Sequence, residues 1–141
     1  MAKAPAVRMD PRAYDSSART IIVAGLSSRQ PSPSHSRGRI AAYAQGEDYH
    51  AILRDHLEIL AQKTIAAWGG KYRITVDSSP VMEKPLASRA GVGWQGKNTL
   101  LIHPEHGPWL LLGCLLTDLV IPPDPPAKDH CGSCTRCLEA C

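Results

Sequence analysis

The sequence predicts an α+β fold with a mixed α/β sheet, followed by the start of a small iron–sulfur module of the ferredoxin type. Three observations carry this expectation. Short β-branched apolar runs and one long stretch of helical period are interspersed without a regular βαβ repeat, which argues against a doubly wound parallel sheet. The 141 residues are one domain's worth, enough to bury roughly 68–70% of the unfolded surface. Four of the five cysteines crowd into CGSCTRCLEAC, residues 131–141.

The elements follow in order. TIIVAGL, 20–26, is a β-branched apolar run consistent with a buried strand. SSRQPSPSHSRGR, 27–39, has almost nothing to bury and is expected as an exposed loop. From Asp48 the period changes: Tyr49, Ile52, Leu53, Leu57, Leu60 and Ala61 fall at helical spacing with polar residues between them, and Gly69 and Gly70 close the helix. KYRITVD, 71–77, alternates and is expected as a strand ending at Asp77. MEKPLASRAG is a short helix with Pro85 in its first turn and Gly91 past its end. VGWQGKN is a glycine-punctuated loop, NTLLI a strand, HPEHGP a turn, and WLLLGCLLTD a second strand expected to pair antiparallel with NTLLI. PPDPPAKDH is a stiff linker leading to the cysteines.

Composition excludes more than it assigns. A chain of this size needs no disulfide staples, and a disulfide framework spreads its cysteines to close loops, so the clustered thiols point to metal ligation in a reducing compartment. MAKAPAVRMDPRAYD lacks the apolar core of about 7–15 residues that a signal peptide needs. The longest apolar run, WLLLGCLL, falls well short of the ~20 residues of a membrane span. A cytoplasmic, soluble monomer is expected. The net charge of +3 is mild. Arg8, Arg12, Arg19, Arg29, Arg37 and Arg39 are scattered, which suits a solvated basic surface as readily as contacts to a phosphate backbone.

The cysteine spacing is more specific. Zinc sites of four cysteines usually pair two C-x2-C units across a long gap. Here Cys131, Cys134, Cys137 and Cys141 form C-x2-C-x2-C-x3-C, the run that binds a [4Fe–4S] cluster. In two-cluster proteins the fourth cysteine of such a run serves the other cluster, so Cys141 is expected to belong to a second one. Cys114, alone inside WLLLGCLL, is expected as a small buried hydrophobe.

VDSSPVMEKPLASRAGVGWQGKNTLLIHPEHGPWLLLG resembles the epoxyqueuosine reductase family in its VDxxPxxE, AGxGWxGKNTLLI and GxWxxLG segments. DPRAYDSSARTIIV and GRIAAYAQGEDYHAIL resemble that family's upstream text, so the likeness runs from about residue 8 to residue 141. The resemblance implies a flavin-reductase- or nitroreductase-like corrinoid-binding domain over 1–122. It also implies a linker and the first half of a ferredoxin-type domain over 123–141. The cofactors implied are cobalamin and [4Fe–4S] clusters, two in the family. The implied partners are tRNA carrying epoxyqueuosine and an electron donor. Family members carry further residues before the DPR text and a second cysteine run, so the chain reads as a fragment not expected to act alone.

By the same resemblance Asp77 is the candidate catalytic acid, protonating the oxygen that leaves the epoxide; Glu83 is the alternative. A free Asp with pKa near ~3.9 is ionised at neutral pH, and burial beneath a corrin face is what would keep it protonated. Gly93, Lys97 and Asn98 are candidates for corrin contacts, with Gly91 and Gly96 in the same loop. Tyr43, Arg89 and His103 are candidate pocket residues, and Asp77 itself is expected to touch the cofactor. His50, at the start of the long helix, is read as a structural histidine or a ligand, and Trp94 and Trp109 as core or pocket wall. Two other functions compete: a corrinoid reductive dehalogenase-like enzyme, and a non-catalytic iron–sulfur electron-transfer fragment.

Overall fold

The computed structural model describes residues 8–29 and 40–141. In chain order these form β1 (Thr20–Ser27), α1 (Tyr49–Trp68), β2 (Tyr72–Thr75), α2 (Glu83–Arg89), β3 (Trp94–Gln95), β4 (Leu101–Ile102), β5 (Leu110–Thr117) and α3 (Arg136–Glu139). Most of the Ser/Pro/Arg loop expected at 27–39, with Arg37 and Arg39, lies outside the described residues.

The α+β class holds, and the described sheets are antiparallel throughout: β1-β5-β2, and a small β3-β4 pair. The expected pairing of WLLLGCLLTD with NTLLI is overturned. β5 lies between β1 and β2, in register Thr20↔Thr117 through Ser27↔Leu110 on one side and Tyr72↔Thr117 through Thr75↔Cys114 on the other. The reason is patterning: Leu112 through Thr117 are all buried, and a run apolar on both faces is satisfied only at the centre of a sheet. NTLLI also yields less strand than expected. Residues 96–100 are spent on a turn in which Leu100 O accepts from the Gly96 N–H at 2.8 Å and Thr99 takes φ +65°. Trp94 and Gln95, expected as loop, become the partner strand.

Asp48 starts α1, its Oδ1 accepting from the His50 N–H at 3.0 Å. Gly69, at φ +71°, ends it by donating to Ile65 O at 2.8 Å. Leu53, Leu57 and Ala61 pack on Val76 and Leu115 across one face of the sheet. Leu60, expected on the apolar stripe, is 39% exposed, and Thr64 is buried in line with that stripe. Helix α2 covers the other face, where Ala18, Val81, Cys114 and Leu116 form one cluster and Ala87, Leu101 and Leu112 another.

Two consequences place the chemistry. β2 runs straight into buried Val76 and then exposed Asp77. The proline linker doubles back past α2, with the Ala127 N–H donating to Ser88 O at 2.9 Å, and so returns the cysteine segment to the β3-β4 hairpin.

Candidate functional site

Asp77 follows the end of β2 with φ +53°, one of two non-glycine residues with positive φ among those described. The left-handed region costs an L-residue roughly 1–2 kcal/mol, and such strain concentrates at functional sites. Several groups hold the loop. The Asp77 N–H donates to Glu83 Oε1 at 2.8 Å, at the start of α2. The Tyr49 hydroxyl, in the first turn of α1, donates to Asp77 Oδ2 at 3.0 Å. His50 Nε2 lies 3.6 Å from that same Oδ2, and His50 Nδ1 is 2.7 Å from Asp48 Oδ1. The Tyr49 and His50 rings stack with centroids 4.0 Å apart, and Tyr43 meets Tyr49 edge-on at 6.2 Å.

Tyr49, Asp77, Glu83, Lys84 and Leu110–Leu112 line a cleft of about 150 Å³. The electrostatics divide its acids. The Asp77 side chain is 65% exposed. Glu83 is only partly exposed; burial raises its pKa, partly offset by its bond to the Asp77 N–H. The Tyr49 hydroxyl is pushed up to about 12, chiefly by burial and then by its bond to Asp77. His50 is raised, first by its bond to Asp48, and Asp48 is correspondingly lowered.

The other candidates disperse. Arg89, at the end of α2, lines a separate cavity of about 770 Å³ with Ile21, Val23 and Leu86. Gly93 is buried, and a Cβ there would stand 2.3 Å from Ile102 O, so its small size serves the close approach of β3 to β4. Gly96 is similar, its Cβ position 2.6 Å from Asn98 Oδ1 and from Ile102 Cδ1. Asn98 turns inward on its own loop, Oδ1 accepting from the Leu100 N–H at 3.1 Å. His103 Nδ1 accepts from the N–H groups of Glu105 and His106 within the hairpin turn.

Lys97 points to the cysteines. Its Nζ donates to Gly132 O at 2.8 Å and to Cys134 O at 3.0 Å, while Trp94 lies against His130 with centroids 4.8 Å apart. The hairpin expected to touch a corrin thus docks the cysteine segment. Cys131, Cys134, Cys137 and Cys141 are free thiols, the first and third partly buried. As a donor set they suit an iron–sulfur cluster, but no three His, Cys, Asp or Glu side chains among the described residues converge as a metal site. Cys114 behaves as expected, buried, its thiol pushed up to about 12 by burial first and by Glu83 second.

Around Asp77, then, the structure gathers Glu83 and, by way of Tyr49, Tyr43 from the expected set, gives His50 a place beside it, and adds Tyr49 and Asp48. The signal for Asp48, Tyr49 and His50 was present in EDYH: an Asp cap sets the next two residues on the first turn of a helix that packs beside β2.

The family model described as epoxyqueuosine reductase QueG, DUF1730, matches residues 8–78. The epoxyqueuosine reductase of Xanthomonas campestris pv. campestris is 48% identical over 106 residues, covering 74% of this chain and 30% of the relative. A crystal structure of an epoxyqueuosine reductase with an epoxyqueuosine-modified tRNA-Tyr stem loop aligns at TM-score 0.82 and 31% identity, covering 92% of this chain and 36% of that one. The Bacillus subtilis enzyme, solved with its aspartate-bearing catalytic loop swung out of the active site, aligns at TM-score 0.79 and 31% identity, covering 95% and 37%. The chain therefore spans about a third of the length of these relatives. Matched by its family model over half its length and by these folds over nearly all of it, the chain belongs to the epoxyqueuosine reductase family.

Proposed function

We propose that this chain carries the acid-bearing, corrinoid-binding part of a cytoplasmic enzyme that reduces epoxyqueuosine to queuosine in tRNA. The observation that carries the reading is Asp77. It has a strained backbone and an open carboxylate, and is held by Tyr49 at a strand end in a chain of this family. Residues 1–122 would form the flavin-reductase-like catalytic domain and 123–141 the linker and first part of the ferredoxin-like domain.

The residues present suit a large flat cofactor better than an enclosed small one. Tyr43, which meets Tyr49 edge-on, and Met82, which precedes Glu83, are 55% and 44% exposed, and Leu110–Leu112 line the cleft. Cobalamin bound over this face would supply the reducing power for breaking the carbon–oxygen bond. Cys131, Cys134 and Cys137 would hold one cluster, and Cys141 would serve a second.

The chain's own part is proton chemistry. Removing the epoxide oxygen as water consumes two electrons and two protons, and the departing oxygen needs a general acid. Covering Asp77 with an apolar ring desolvates its carboxylate and favours the protonated form. Tyr49 fixes Oδ2, and Glu83 fixes the loop through the Asp77 N–H. Glu83 remains the alternative donor, since burial already raises its pKa.

The test is anaerobic reconstitution of this chain with iron, sulfide and cobalamin, read by absorbance and electron paramagnetic resonance, then turnover of an epoxyqueuosine-containing stem loop by a full-length version that carries this segment. Corrinoid bound and queuosine formed supports the reading. A chain that binds neither corrinoid nor iron–sulfur cluster refutes it.

A further inference from the structure

Asp77 can act more than once only if it is reprotonated, and cofactor and substrate would cover its open side. On its protein side stands an ordered path. Asp48 Oδ1 does two things at once: it caps α1 through the His50 N–H at 3.0 Å, and it holds His50 Nδ1 at 2.7 Å. That second bond fixes the tautomer. With its proton on Nδ1 facing a carboxylate, the neutral ring presents a bare Nε2, which lies 3.6 Å from Asp77 Oδ2. Stacking on Tyr49 at 4.0 Å fixes the ring plane. The separation is slightly longer than a made hydrogen bond, as catalytic contacts commonly are before substrate arrives.

We propose that His50, oriented by Asp48, is the proton carrier that reloads Asp77 from solvent between proton donations. This rests on the reading of Asp77 as the acid. The step balances without electrons. The Asp77 carboxylic acid gives its proton to the departing oxygen and becomes a carboxylate. Imidazolium His50 gives its Nε2 proton to Asp77 Oδ2 and becomes neutral, keeping the Nδ1 proton on Asp48. The His50 side chain, 41% exposed, then takes a proton from water at Nε2.

The titratable groups facing His50 among the described residues agree with this. Asp48 and Tyr49 face it from α1, with Arg54 one turn further along; Asp77 faces it from the end of β2 and Glu83 from α2, with Lys84 on the same cleft. The carboxylates dominate and favour the imidazolium, so His50 stays charged to higher pH than a free histidine. Tyr49 cannot do the same work, since its hydroxyl is held neutral to about 12.

Two measurements test the relay. In the 141-residue chain without cofactors, the titration of His50 is followed by nuclear magnetic resonance. Asp48→Asn and Asp77→Asn are both expected to lower its midpoint, Asp48→Asn by more. An unchanged midpoint in Asp77→Asn overturns the coupling. In a reconstituted full-length version that carries this segment, His50→Ala is expected to slow turnover about tenfold, less than the roughly 10²–10⁴-fold of direct acid catalysis. The loss should be widest while His50 is charged and solvent protons are scarce and should narrow once pH passes the His50 midpoint, and added imidazole should restore the rate. If His50→Ala keeps the parent rate and pH profile while Asp77→Asn is inactive, the relay alone is wrong. If Asp77→Asn is fully active, the acid assignment fails and the relay with it.

Discussion

Replacing Lys97 by Met should loosen the cysteine segment without disturbing the sheet. Lys97 Nζ is the group that ties the β3-β4 hairpin to Gly132 O and Cys134 O, at 2.8 and 3.0 Å. Met keeps the stem and removes the donors. A net hydrogen bond is worth about 0.5–1.5 kcal/mol, and exposure places these two at the low end, about 1 kcal/mol together. That corresponds to roughly a fivefold rise in the open population of the segment. The assay is thiol labelling of the metal-free chain under reducing conditions, comparing Cys131 and Cys137, which are partly buried, with the exposed Cys134 and Cys141. Labelling of Cys131 and Cys137 should accelerate about fivefold in Lys97→Met, with Cys134 and Cys141 little changed and far-ultraviolet circular dichroism intact. If the rates match the parent, the hairpin does not hold the segment and Lys97 is free for another partner.

Other substitutions test the packing and the charge network. Gly93→Ala should cost about 3 kcal/mol, the upper end for overpacking, because its Cβ would meet the Ile102 carbonyl at 2.3 Å and a backbone atom cannot step aside. Denaturant unfolding of Gly93→Ala within about 0.5 kcal/mol of the parent would reject that contact. Cys114 should resist alkylation at pH 8 while the other four thiols react, since burial holds its pKa near 12; mass spectrometry of the labelled native chain decides this. Asp48→Asn preserves a helix cap but removes the charge on His50. Because the folded pKa of His50 is raised, the stability from that charge is full below its unfolded value and fades as pH rises through the folded one. The stability gap between parent and Asp48→Asn should therefore be widest near pH 6 and narrow towards pH 9; a gap that widens instead refutes the His50–Asp48 pairing.

Local signals in the chain specify local structure well. The Asp48 cap and the Gly69–Gly70 stop mark α1 to the residue, and the continuous apolar run of β5 marks a buried strand. Which strand β5 joins is a long-range choice. The sequence neighbour NTLLI loses to β1 and β2 because residues 96–100 close a turn, and because only a central position covers both edges of β5. The same distinction holds at the site. Asp77 is legible as a strand-end acid, and the cysteines by their spacing. The side chains that meet the Asp77 carboxylate come from a helix start 27–28 residues upstream, through packing that periodicity does not encode. Gly93 and Asn98 illustrate the converse: residues that suit a ligand loop are engaged by their own hairpin.

The central claim is that Asp77 supplies the proton for epoxide reduction on a corrinoid-binding face, and Asp77→Asn tests it most directly. Asn tolerates the left-handed conformation at φ +53° and keeps an acceptor for the Tyr49 hydroxyl, so shape survives while the proton does not. The measurement pairs cobalamin titration by absorbance with single-turnover reduction of an epoxyqueuosine stem loop in a reconstituted full-length version that carries this segment. The account predicts unchanged cobalamin affinity and a rate lower by roughly 10²–10⁴-fold. A rate within about tenfold of the parent, with cobalamin equally bound, would contradict it.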